Sequence, residues 1–105
     1  NKMLFYDEFS HRYFESTLED VIKAEYNTNR QLQCNGGVYL NEYYEFLDLE
    51  PIPGGTELGW SSGILELHYC AEWIEFDHEK VILEDCLECC IITLRYEPVI
   101  DFAYY

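Results

Sequence analysis

The hydrophobic pattern changes period once along the chain, and that change limits the folds open to it. Between Phe14 and Leu32 the apolar residues Phe14, Leu18, Val21 and Ile22 fall at spacings of four, three and one, which gathers them on one face of a helix. After Gly63 the period drops to two, with Leu65, Leu67 and Tyr69 alternating against Ile64, Glu66 and His68 as in a half-buried strand. Between these parts Glu50-Pro51-Ile52-Pro53-Gly54-Gly55-Thr56 is loop by composition. A helical part followed by a stranded part within 105 residues predicts one α+β domain over residues 1–105. Its expected form is a long N-terminal helix and a short second helix packed on a small antiparallel sheet.

Local signals place the elements. Ser16 or Thr17, each followed three residues later by Glu19 or Asp20, offers a capping box for the long helix. Cys34-Asn35-Gly36-Gly37 ends it, since Asn and Gly tolerate the left-handed backbone. Leu4 to Tyr13 reads as either an earlier helix or an extended arm. The second helix fits Asn41 to Leu49, with Asn41 as its cap, Tyr43, Phe46 and Leu47 inward, and Glu42, Glu45 and Asp48 on the wet face. Pro51 forbids its continuation. A further alternating run puts Ile74 and Phe76 inside and Trp73, Glu75, Asp77 and Glu79 outside. Cys89 to Tyr96 is apolar enough for a central strand, ended by Glu97-Pro98, and Val99 to Tyr105 adds a short edge strand. Ten Tyr, six Phe and two Trp can fill one core with few residues.

Charge narrows the partners. The formal net charge is −15, and its halves differ: Asn1 to Tyr39 carries four bases and six acids, Leu40 to Tyr105 two bases and 15 acids. A nucleic-acid binder needs cations to displace condensed counterions, so direct binding to a polyanion is disfavoured, and anionic membranes are disfavoured by the same sign. Five cysteines, three of them at Cys86, Cys89 and Cys90, suit a reduced compartment better than a disulfide scaffold. Asn1 to Tyr6 is too short an apolar run for a signal peptide, no stretch approaches a membrane span, and the cytoplasm is the expected location.

The stretches Asn29-Arg30-Gln31-Leu32, Gly37-Val38-Tyr39-Leu40-Asn41-Glu42-Tyr43-Tyr44-Glu45-Phe46-Leu47-Asp48-Leu49 and Leu58-Gly59-Trp60 resemble a small domain of unknown function encoded by phages and prophages of Gram-positive bacteria. The resemblance continues more weakly through Ile64 to Tyr69 and Cys90 to Phe102. It implies a helix, a V-x-L-N-E-x-Y turn into a second helix, and a small sheet. It implies no activity, and a bacterial host cytoplasm as the setting.

Each chemical constellation has a plainer counterpart. Cys86-x-x-Cys89-Cys90 offers zinc ligands that Cys70, His68 or His78 would complete, yet strand alternation sends Cys89 to the face opposite Cys86 and Cys90, and small buried hydrophobes are the simpler reading. No window has the ligand spacing of a calcium loop. His68 or His78 beside carboxylates suggests a general base, but three histidines among 21 acids meet carboxylates by chance. No nucleophile elbow, phosphate loop or dinucleotide fingerprint is present, so neither an enzyme nor a cofactor is expected.

The acids are the most informative feature. Residues two apart on a strand repeat at roughly 6.6 Å, similar to successive phosphates of one nucleic-acid strand, and Glu75, Asp77 and Glu79 keep that interval. Glu42, Glu45 and Asp48 form a second row, with Glu72, Glu84, Asp85 and Glu88 near the first. Such rows would imitate a duplex for a protein whose basic channel reads backbone shape, a Cas9-type effector nuclease being the most concrete case; a merely solvated face is the alternative. The expected function is therefore an acidic phage-type inhibitor that binds the nucleic-acid-binding surface of a host defence nuclease, as an anti-CRISPR or anti-restriction protein. The rivals are a virion or assembly protein and a metal-binding domain.

Overall fold

The structure, a computed structural model, describes residues 1–102. In chain order its elements are β1 (Met3–Asp7), β2 (Arg12–Ser16), α1 (Leu18–Asn35), β3 (Gly37–Tyr39), α2 (Leu40–Phe46), β4 (Leu58–Ser61), α3 (Ser62–Tyr69), β5 (Phe76–Ile82), β6 (Glu88–Leu94) and β7 (Val99–Ile100). The class is α+β, but the strands form two sheets. A four-stranded sheet runs β2-β1-β6-β5, and a three-stranded one runs β3-β4-β7. The larger is mixed rather than antiparallel, because β1 lies parallel to β6, with Leu4 beside Cys89 and Asp7 beside Ile92.

The segment read as an early helix or arm is instead a hairpin. β1 and β2 pair antiparallel with Phe5 opposite Phe14, their rings stacked at 5.5 Å. The period of two is disguised because the inward position after Phe5 holds a carboxylate. Asp7 is fully buried and accepts hydrogen bonds from the Ser10 amide (3.1 Å), the Ser10 hydroxyl (2.5 Å) and the Tyr44 hydroxyl (2.6 Å). All three reach Oδ2 and replace the water that a buried carboxylate oxygen needs, whereas Oδ1 has no hydrogen-bond partner among the described residues.

Thr17 caps α1 by accepting from the Asp20 amide at 3.0 Å, and Gly36, at φ 78°, ends it by donating to the Leu32 carbonyl at 2.8 Å. The buried stripe is Val21, Ala24, Thr28 and Leu32; Leu18 and Ile22 face outward, a correction to the expected face. Phe14 belongs to β2, so the helix starts later and its inward stripe is turned. The Thr28 hydroxyl satisfies itself on the Ala24 carbonyl at 2.8 Å.

In α2, Glu42 performs the capping expected of Asn41, accepting from the Tyr39 amide at 2.9 Å. Asn41 lies inside the helix and clamps the Pro/Gly loop, donating to the Ile52 carbonyl (3.0 Å) and accepting from its amide (2.9 Å). Tyr43 and Leu47 point inward as expected, but Tyr44 is fully buried with them, and Phe46 is exposed. Asp48 lies beyond the helix at φ 63°.

The stretch after Gly63, read as a strand, is α3. Ser61 accepts from the Ile64 amide at 3.1 Å, and that cap turns the chain helical just past β4. Ile64 and Leu65 are then buried as neighbours on one helical face, while Leu67 is 67% exposed. The strand in this region is β4, whose Gly59 leaves no room for a Cβ against the Val38 carbonyl and the Phe102 ring. β6 is central, between β1 and β5, as its apolar run predicts. β7 pairs with β4 at the edge of the smaller sheet but stops at Ile100, because Asp101 turns the chain at φ 55°; the expected strand's last residues, 103–105, lie outside the described residues.

The two faces of α1 make opposite demands. Leu32→Ala should lower the free energy of unfolding by roughly 2–5 kcal/mol through loss of buried area and a residual cavity. Ile22→Ala should change it by less than about 0.5 kcal/mol, both read by urea unfolding. Equal losses would restore the face drawn through Ile22.

Candidate functional site

Between α3 and β5 the chain runs as a strap, Glu72 to Glu75, across the side of α1. Ile74 is 2% exposed, so its backbone polar groups are cut off from water and need partners. Asn29 of α1 supplies both: its amide nitrogen donates to the Ile74 carbonyl (3.0 Å) and its oxygen accepts from the Ile74 amide (2.7 Å). One turn further on, Gln33 donates to the Glu72 carbonyl at 2.9 Å. Burying Ile74 turns its neighbour outward, and Trp73 stands 52% exposed on a pinned backbone.

Trp73 separates two hollows. The larger, about 920 Å³, is an open cleft whose wall includes Gln33, Glu66, Glu72, Glu75 and Tyr96. No Lys or Arg lines it. Tyr96 is held from behind, because the fully buried Trp60 donates to its carbonyl at 2.7 Å, and its ring stacks on Tyr69 at 4.4 Å. α3 ends at Cys70 on the cleft wall, presenting the negative end of its dipole. The smaller hollow, about 550 Å³, lies toward α1 and includes Tyr26 and Arg30.

The ten acids singled out in the sequence fall in four places. Glu72 and Glu75 come together in the cleft, where α3 adds Glu66, which the sequence reading did not select. Asp77 and Glu79 share one face of β5, but Glu75 precedes the strand. That row is also partly neutralised: Arg95 donates to Asp77 at 2.5 and 3.2 Å and lies 3.5 Å from Glu75. Asp77 holds the Arg95 guanidinium above even its ordinary range. Glu84 and Asp85 sit in the turn between β5 and β6, and Glu88 opens β6 with Lys80 at 3.6 Å. Glu42, Glu45 and Asp48 do not make a clean helical row, since Glu42 is occupied by its cap and Asp48 lies past the helix end.

The thiols do not converge. Cys86 lies in the turn at φ 63°, while Cys89 and Cys90, adjacent on β6, are buried on opposite faces. Burial raises both of these thiols above the ordinary range, which keeps them protonated and unreactive. Among the described residues no group of three His, Cys, Asp or Glu is placed to hold a metal ion. His68 is exposed on α3. His78 of β5 meets Glu25 of α1 at 2.5 Å, and this contact ties helix to sheet. Burial pushes the Glu25 carboxyl up, and His78 brings it only part of the way back. Tyr44 is no surface residue: its ring is buried and its hydroxyl donates to Asp7.

Fold and cleft together define a small acidic α+β protein with an open, aromatic, base-free site. The chain belongs to a family of unknown function, DUF6353, which matches residues 1–103. Comparison with curated proteins and with solved structures returned no match. No helix of the described residues is long and apolar enough to cross a membrane.

The cleft residues were half visible in the sequence. Trp73 is outward, as alternation predicts, but nothing local announced that Glu66 and Tyr96 would stand beside it.

Glu25 gives a pH test of the helix–sheet contact. Its folded-state pKa lies above the ordinary 4.5, so its protonated form favours the fold below that pH, and this contribution is lost as pH rises through the folded value. Glu25→Gln does not titrate. It should therefore gain stability on the parent as pH rises above about 4.5, by at most about 1.4 kcal/mol per pH unit, until the raised folded-state value is passed, in urea unfolding. A gap that stays constant, or moves the other way, would show that Glu25 is not held up by burial.

Proposed function

We propose that this chain acts by stoichiometric binding, seating its acidic surface on a basic protein partner. Its most concrete form is an inhibitor that takes the place of nucleic acid on a host defence nuclease, a Cas9-type effector above all, inside a bacterial cytoplasm. The observation that carries the reading is the lack of compensation in the acidic half. Of its two bases, Arg95 is spent on Asp77 and Glu75, and Lys80 stands near Glu88. Glu45, Asp48, Glu72, Glu79, Glu84 and Asp85 are exposed and have no ion pair among the described residues. Uncompensated carboxylates on a folded surface repel one another and attract a basic surface over a long range.

One feature favours a second reading, that of an assembly protein. The sheet register places Leu4, Tyr6, Tyr13, Val81, Cys89 and Ile91 on one face of the larger sheet, opposite the face that carries Phe5, Cys90 and Ile92 into the core. Tyr13 on that face, and Ile82 at the neighbouring strand end, are exposed.

Binding to a purified Cas9-type effector separates the readings. The nuclease-inhibitor form expects saturable binding that weakens by at least about tenfold between 50 and 200 mM salt and is displaced by nucleic acid. Binding without competition by nucleic acid would overturn the mimic mechanism, and no binding with concentration-dependent self-association in sedimentation would overturn the inhibitor reading and support assembly.

A further inference from the structure

We propose that the cleft beside Trp73 is an arginine-binding site, in which an extended basic segment of the partner lays a guanidinium against the indole and between Glu66 and Glu72. This deepens the basic-partner reading and rests on it.

Three observations converge on that occupant. The first is charge: among the described residues Glu66, Glu72 and Glu75 line the cleft with no base, and Glu75 alone has a cation nearby, Arg95, whose principal contact is with Asp77. The C-terminal end of α3 adds partial negative charge on the same wall. The second is the aromatic surface. Trp73, half exposed, lines the cleft together with Tyr96, and an indole face attracts cations most strongly of the aromatic rings. A guanidinium is flat and weakly hydrated, so it stacks there while donating to carboxylates at its edge, which a lysine ammonium cannot do together. The third is preorganisation. The Asn29 clamp and the Gln33 hydrogen bond fix the strap on both sides of Trp73, and the Trp60 hydrogen bond fixes Tyr96, so little backbone ordering remains to oppose binding. An exposed tryptophan on a pinned backbone is the kind of residue that dominates an interface.

Charge also selects between the two hollows. The smaller one contains Arg30, which repels a second cation, so the guanidinium belongs in the larger.

The test titrates the full chain with two peptides of equal length and charge, one rich in arginine and one in lysine, and follows tryptophan fluorescence. Trp60 is fully buried, so a change reports Trp73. The arginine peptide should perturb the emission and bind at least about threefold tighter than the lysine peptide. Trp73→Ala should weaken it roughly tenfold, and the pair Glu66→Gln with Glu72→Gln by a similar factor. A control of equal charge loss at exposed acids of the N-terminal half, Glu15→Gln with Glu19→Gln, should weaken it by less than about twofold. All altered side chains are solvent-exposed, and circular dichroism confirms that each variant folds. Since Trp73→Ala removes the fluorescent reporter, all variants are compared by calorimetry. If the peptides bind in a salt-sensitive way but Trp73→Ala is neutral, or the N-terminal control pair loses as much as the cleft pair, the cleft assignment is wrong and the basic-partner reading stands. If neither peptide binds at low salt, both fall.

Discussion

Ile74 lies buried next to an exposed tryptophan, outside any sheet, and both of its backbone polar groups end on the side-chain amide of Asn29. A buried N–H and C=O left unpaired would each cost on the order of 1–3 kcal/mol, so the strap can adopt this course only where α1 offers an amide at that height. The same contact fixes where β5 begins, hence where Asp77 and His78 lie. It also decides that Trp73, and not Ile74, meets the solvent. The cleft is thus a consequence of how helix and strap satisfy each other.

A second polar group organises the β1–β2 side of the larger sheet. Asp7 is buried beneath the hairpin turn and joins β1 to Ser10 and to Tyr44 of α2. Arg12, whose guanidinium lies 4.8 Å from the centre of the Tyr44 ring, donates to the Glu50 carbonyl at 2.7 Å and so anchors the loop after α2 as well. Burial and the neighbouring Asp7 carboxylate raise the Tyr44 hydroxyl, which keeps it a proton donor to Asp7 across the accessible pH range. The two networks divide the labour: the Asp7 cluster closes the hairpin onto α2, and the Asn29 clamp carries the site.

What was legible in the sequence was local. The Thr17 cap, the Gly36 stop, the Pro/Gly loop and the apolar run of β6 are each decided by a few adjacent residues. What was not legible depends on distant partners. Asp7 breaks the alternation of β1, and its inward position makes sense only once Tyr44 is known to reach it. The parallel pairing of Leu4 with Cys89 leaves no trace in either strand alone. The alternating Leu65, Leu67 and Tyr69 read as a strand by themselves, whereas the cap that sends the segment into a helix lies ahead of the run, at Ser61. The acids followed the same rule. Their excess is plain from composition, but pairing with Arg95 and capping at Tyr39 removed several from the expected rows, whereas the helical α3 brought Glu66 to the cleft.

The central claim is that an acidic aromatic cleft, held rigid by side-chain amides, receives a basic partner. Amide and indole chemical-shift mapping during titration with an arginine-rich peptide tests it most directly, since every surface of the protein reports at once. The account predicts the largest changes at the Trp73 indole, Gln33, Glu66 and Tyr96, with the Ile74 amide little moved because its clamp is already formed. Changes centred on the Glu84 to Glu88 turn or on Tyr13, with the Trp73 indole unmoved, would contradict it.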